Sequence, residues 1–125
     1  MALAETDKSD DEVAKWETQL RKGGLSLAVL ASLHPGRLYG LELLRRLETE
    51  AGMSVPEGTI YPLLSRLKAA GLVASEWVES EAGHPRKYYT LTDRGRRRLC
   101  EMASNWNSFT RGLDRLLSRL EGVTP

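Results

Sequence analysis

The stretch VPEGTIYPLLSRLKAAGLVASEWVESEAGHPRKYYTLTDRG, residues 55 to 95, decides the fold. Its first part places Ile60, Leu63, Leu64 and Leu67 on one helical face and stops at Gly71. Ser54-Val55-Pro56-Glu57 in front of it has the S-x-x-E form of a capping box. Pro62 lacks an N–H and is tolerated only in a first turn. The spacing therefore predicts either an irregular opening turn over 55 to 59 or a kink. Leu72 to Glu79 and Arg86 to Leu91 are rich in Val, Trp, Tyr and Thr and read as strands. SEAGHP between them is all turn formers, so the pair is a hairpin. Thr92 is placed to cap one more helix.

Upstream, Val13, Trp16 and Leu20 recur at helical steps between Asp10 and Lys22, with acids at the start and bases at the end to suit the helix dipole. Gly23-Gly24 predicts a break. Residues 25 to 34, LSLAVLASLH, are apolar nearly all round and belong at the centre of the core. Pro35-Gly36 is a turn signal. A helix from about Leu38 to Ala51 follows, with Leu41, Leu44 and Leu47 inward and Gly52 as its C-cap. Residues 1 to 9 are polar and read as a disordered tail.

Downstream, the last helix runs from about Asp93 to Glu121. Leu99, Met102, Trp106, Phe109, Leu113, Leu116 and Leu120 repeat at alternating steps of three and four, a three-heptad seam on a helix of roughly 40 Å. A helix of that length outreaches a small domain, and a second copy is the simplest partner for its stripe. Packing within the chain against Val13, Trp16 and Leu20 is the alternative, and the N-terminal helix, Trp16 included, also suits the dimer seam.

Three helices, a hairpin and a long helix are the logic of a winged helix-turn-helix. The expected fold is mainly α with a β-hairpin: a tail over 1–9, an N-terminal helix and winged-helix domain over 10–91, and a C-terminal dimerisation helix over 92–125.

The net charge is only +1, but its distribution is uneven. Arg86, Lys87, Arg94, Arg96, Arg97 and Arg98 stand against Asp93 alone between residues 84 and 98. Such a cluster suits a DNA-facing surface, and equally a solvated one. On the helix that ends at Gly71, Thr59, Tyr61, Ser65, Arg66 and Lys68 are left toward solvent, where a major groove would meet them. Arg86 and Lys87 sit at or just after the hairpin tip, within reach of a DNA backbone. Strand alternation sends Tyr88 and Tyr89 to opposite faces, one to the core. Trp106 lies mid-seam, where paired indoles could admit a flat aromatic effector or simply pack.

No Gly-rich phosphate loop, nucleophile–base pair or metal-spaced cluster is present, so no enzyme, metal or cofactor is expected. Cys100 stands alone and fits a reducing compartment. The N-terminus has no basic-then-apolar signal and no stretch is long enough to span a bilayer, which predicts a cytoplasmic protein off the membrane.

The segments LYGLELLRRL at 38–47, VPEGTIYPLLSRLKAAGLV at 55–73 and GHPRKYYTLTDRG at 83–95, with WETQLRKG at 16–23, together make the chain resemble the PadR family of transcriptional regulators. Its single C-terminal helix looks like the smaller subfamily. The resemblance implies a homodimer that binds double-stranded operator DNA and usually represses. Carried over by position, it implies Thr59, Tyr61, Pro62 and Arg66 in the reading helix, Tyr39 at a phosphate, and Arg86 and Lys87 on the wing. Some small members take planar ligands at a position like Trp106. The reading from another class is a protein-interaction adaptor that uses the same fold without DNA.

Overall fold

Apolar side chains from every element converge on one core. Val29, Leu30 and Leu33 meet Leu43 and Leu47, Ile60 and Leu64, and Val73, Tyr89 and Leu91, all buried. The computed structural model describes residues 2–81 and 83–120, with side chains from Ser9 onward. In chain order the elements are α1 (Ala2–Leu33), β1 (Leu38–Tyr39), α2 (Gly40–Ala51), α3 (Glu57–Ala69), β2 (Val73–Val78), β3 (Arg86–Leu91) and α4 (Asp93–Leu117). The strands form one antiparallel sheet in the order β1-β3-β2. This is a winged helix-turn-helix with a long C-terminal helix, as the sequence predicts. Helix α4 ends at Leu117, with Ser118 as its C-cap, short of the expected end near Glu121.

Helix α1 departs from expectation. It runs unbroken through Gly23-Gly24 and takes in residues 2–9, for which a disordered tail was predicted. A glycine costs a helix about 1 kcal/mol relative to alanine but removes no backbone donor, so it weakens a helix without ending it. The buried residues at 29–33 anchor the far end. Before them, Val13, Trp16 and Leu20 project into solvent.

The predicted opening of α2 is also different. Leu38 and Tyr39 are extended and pair with Tyr89 and Tyr88 of β3, so they form a third strand and not a first helical turn. Tyr39 is the N-cap of α2, and the Glu42 carboxylate accepts its N–H at 3.2 Å. Starting the helix at Gly40 turns its stripe. Leu43 and Leu47 are buried, Leu44 is half-buried, and Leu41, expected inward, is 45% exposed. Gly52 ends α2 as predicted, at φ 63°, with Met53 N–H returning to the Leu47 carbonyl at 3.0 Å.

Ser54 does not cap α3. Pro56 holds that position, and its carbonyl accepts both the Thr59 and the Ile60 N–H, at 2.9 and 3.1 Å, which tightens the first turn. Pro62 lies in the second turn, so the Gly58 carbonyl has no helical donor facing it.

Helix α4 is fastened by its cap. Thr92 Oγ1 accepts the Gly95 N–H at 2.9 Å and donates to the Gly71 carbonyl at 2.7 Å, while Thr92 N–H donates to the Leu72 carbonyl at 3.1 Å. Gly95 is buried against that carbonyl, where any Cβ would collide. Leu99 and Met102, the first two seam positions, consequently pack on the core of their own chain. Beyond them the seam is open: Phe109 is 60% exposed, and Leu113, Leu116 and Leu120 are exposed as well.

Candidate nucleic-acid interface

Because Ile60, Leu63, Leu64 and Leu67 are drawn into the core, the opposite side of α3 is fixed toward solvent. Thr59, Tyr61, Pro62, Ser65, Arg66 and Lys68 are all exposed there, as the apolar spacing requires. Among the described residues no carboxylate pairs with Arg66 or Lys68. Tyr61 is 38% exposed. Its ring rests on Gly40, where a Cβ would lie 2.8 Å from ring carbon Cε1 and would collide with the hydroxyl. The glycine thus lets α2 begin against the side of α3, which ties this exposed face to the helix-turn-helix frame.

Beside this face stands a layered group of rings and cations. The Tyr39 and Tyr88 rings meet edge to face, with centroids 5.5 Å apart and planes at 74°. The Arg86 guanidinium lies 4.6 Å over Tyr39, and Arg37 lies 4.6 Å over Tyr88. Arg37 is also paired with Glu76 at 3.1 Å, but Arg86 and Lys87 have no carboxylate partner among the described residues. Lys87 Nζ stands 5.9 Å from the Trp77 ring and 5.8 Å from that of Tyr89.

Of the two places the sequence allows, the structure puts Arg86 and Lys87 just after the wing tip. They are the first two residues of β3, opposite Val78 and Trp77, and their side chains fold back over aromatic rings. A tight loop closes the tip: the Ser80 hydroxyl donates to the His84 carbonyl, and Gly83 takes φ 84°. Tyr88 and Tyr89 do face opposite ways, with Tyr89 in the core and Tyr88 half-exposed. Burial, aided by the neighbouring Tyr61 oxygen, pushes the Tyr89 hydroxyl above its ordinary value of 10.0.

Sequence reasoning passed over Arg37 and Trp77 and turned Leu41 inward. Strand alternation would have set Trp77 beside Lys87 had the hairpin register been known; β1, two residues long, gives no periodicity to detect.

Trp106 lies away from this surface. It edges a groove between α1, at Leu20, Gly24 and Leu27, and the end of α2 at Ala51 with Met53 just past it. No group of three His, Cys, Asp or Glu side chains comes together among the described residues, and no described helix is long and apolar enough to cross a membrane.

Residues 29–101 match the Transcriptional regulator PadR-like family. A PadR family transcriptional regulator from Eggerthella lenta is 37% identical, with 93% of this chain and 98% of that one covered and a TM-score of 0.78. A PadR-like transcriptional regulator from Bacillus cereus is 33% identical, covering 84% and 99% with a TM-score of 0.73. An uncharacterized protein of Lysinibacillus sphaericus is 24% identical over 102 residues, 80% of this chain and 94% of that one.

Proposed function

The chain belongs to the PadR-like family of transcriptional regulators, and on that premise we propose that it represses transcription as a cytoplasmic homodimer on a palindromic operator. The family's members are DNA-binding regulators and not enzymes, so what needs assigning is the reading surface and the means of pairing.

The observation that carries the reading is the outer side of α3. Thr59, Ser65 and Arg66 present two hydroxyls and an unpaired guanidinium on a helix whose other side is locked in the core. A helix so held fits a major groove, where Arg66 can bond a guanine edge in two places and the hydroxyls can meet bases or phosphates. Arg86, Lys87 and Tyr39 flank it and supply backbone contacts.

Pairing follows from exposed apolar area. Trp106, Phe109, Leu113 and Leu116 on α4 and Leu120 just past its end, with Trp16 on α1, leave a long stripe in water that a lone chain cannot cover. A two-fold axis along α4 buries the stripe and sets two α3 surfaces about one DNA turn apart. The groove beside Trp106 borders that seam, so a flat aromatic effector bound there would alter the angle between the two reading helices and release the operator.

Selection of bound fragments from a random DNA pool tests the assignment directly. An inverted repeat is expected, with Arg66→Ala losing about tenfold or more on it, at about 1–3 kcal/mol per base contact. Tyr61→Phe is the gentler change at its position, because the ring and hydroxyl both lie over Gly40 and removing the hydroxyl alone leaves the ring in place. Recovery of no motif, or an Arg66→Ala protein with full specificity, would refute the assignment of α3.

A further inference from the structure

Trp77 is the most exposed large apolar side chain described, at 67%, and neither the α3 contacts nor the dimer seam accounts for it. It lies on β2, remote in the fold from the α1 and α4 stripes that a second copy would cover. By the two-residue period of a strand it shares a face with Val73 on β2, and with Lys87, Tyr89 and Leu91 on β3. Val73, Tyr89 and Leu91 on that face are buried against the helices, so its outer end opens into the cleft between α3 and the wing. Trp77, Tyr61, Leu41 and Lys87 line this cleft together.

Resting on the operator-binding reading above, we propose that Trp77 is a direct DNA contact: its indole packs on the deoxyribose of the nucleotide whose phosphate Lys87 engages. Charge complementarity points to DNA as the occupant. Lys87 and Arg86 line the cleft with no carboxylate partner among the described residues, while its walls are aromatic. An anionic chain with an apolar sugar face satisfies both halves. Lys87 Nζ stands between the rings of Trp77 and Tyr89, so a phosphate oxygen that reaches it brings the adjoining sugar over the indole. The cleft is continuous with Tyr61 on α3, so one DNA strand leaving the groove passes over both.

The two side chains then contribute in separable ways. A phosphate contact releases counterions and steepens the dependence of affinity on salt by about 0.9 in the logarithmic slope. An apolar contact with a sugar releases none. Operator affinity measured by fluorescence anisotropy across a salt series therefore distinguishes them. Trp77→Ala is expected to weaken binding about tenfold at every salt concentration with an unchanged slope, Trp77→Phe to recover most of that loss, and Lys87→Ala to flatten the slope. Collisional quenching by acrylamide supplies a second readout: operator should protect part of the wild-type emission, and that protected part should be missing from Trp77→Phe. Wild-type affinity in Trp77→Ala overturns the proposal, whether the indole then meets another protein or nothing. So does a slope as shallow as that of Lys87→Ala, which would mean that the indole merely positions the lysine. A wild-type protein that binds no selected DNA brings down the operator reading itself, a result distinct from either.

Discussion

Replacing Gly95 by alanine should cost this protein stability even though it improves the intrinsic helix propensity of α4. The added Cβ would collide with the Leu72 carbonyl oxygen and lie 3.0 Å from the Leu72 carbonyl carbon and 3.3 Å from Leu91 Cδ2. The obstacle is backbone, which cannot rotate aside, so α4 must lift from the loop at 70–72. That movement strains two bonds joining Thr92 to the loop, from its N–H to the Leu72 carbonyl and from its hydroxyl to the Gly71 carbonyl. Each is worth about 1 kcal/mol. The overpacking adds about 1–3 kcal/mol, and alanine returns about 1 kcal/mol of propensity. The balance is a loss of about 2–4 kcal/mol, or about 10 °C in melting midpoint for a domain of this size. Circular dichroism melts of both proteins at one fixed concentration check it; fixing the concentration matters because the proposed dimer would make stability depend on it. A midpoint equal to or above wild type would refute the reasoning, because it would mean that α4 is not held at this point. Operator affinity should fall as well, since Thr92 and Gly95 set the angle between α4 and the wing domain.

Arg86→Ala and Lys87→Ala should each reduce the logarithmic salt slope of DNA binding by about 0.9 and weaken specific and non-specific complexes alike; an undiminished slope in both removes the wing from the contacts. Leu113→Glu places a charge in the exposed α4 stripe and should yield monomers at micromolar concentration by sedimentation, with operator affinity reduced more than tenfold. A dimer of unchanged mass would put the interface elsewhere. Tyr89 gives a prediction in pH. Its hydroxyl titrates above its ordinary 10.0 in the folded chain, so the folded state keeps a proton that the unfolded chain surrenders. The stability this carries is complete below about pH 10 and declines as pH rises through the folded value. Denaturation midpoints at pH 9 and pH 11 should therefore differ less for Tyr89→Phe than for wild type; equal differences would show that burial of the hydroxyl has no such effect.

The sequence by itself determined that α3, the hairpin and α4 form and which face of α3 and α4 is apolar. Ile60, Leu63, Leu64 and Leu67 assign the inside of α3 and, by subtraction, its outside, because a helix has one fixed period. The 3-4 repeat along α4 and the turn chemistry of SEAGHP are local in the same sense. Gly23-Gly24 misled because a glycine pair lowers propensity without removing a backbone donor, and anchoring of residues 29–33 in the core outweighs it. Only the tertiary structure decided matters that depend on residues far apart in the chain. Leu38 and Tyr39 become a strand because β3 offers them an edge, and no two-residue segment announces a partner fifty positions away. The same pairing rotates α2, exposes Leu41, and brings Tyr39 under Arg86. Trp77 meets Lys87 only once the hairpin register is set. Side-chain periodicity is a property of one segment and can be read from its letters, whereas register and cation–ring stacking are relations between segments and exist only after the chain has closed.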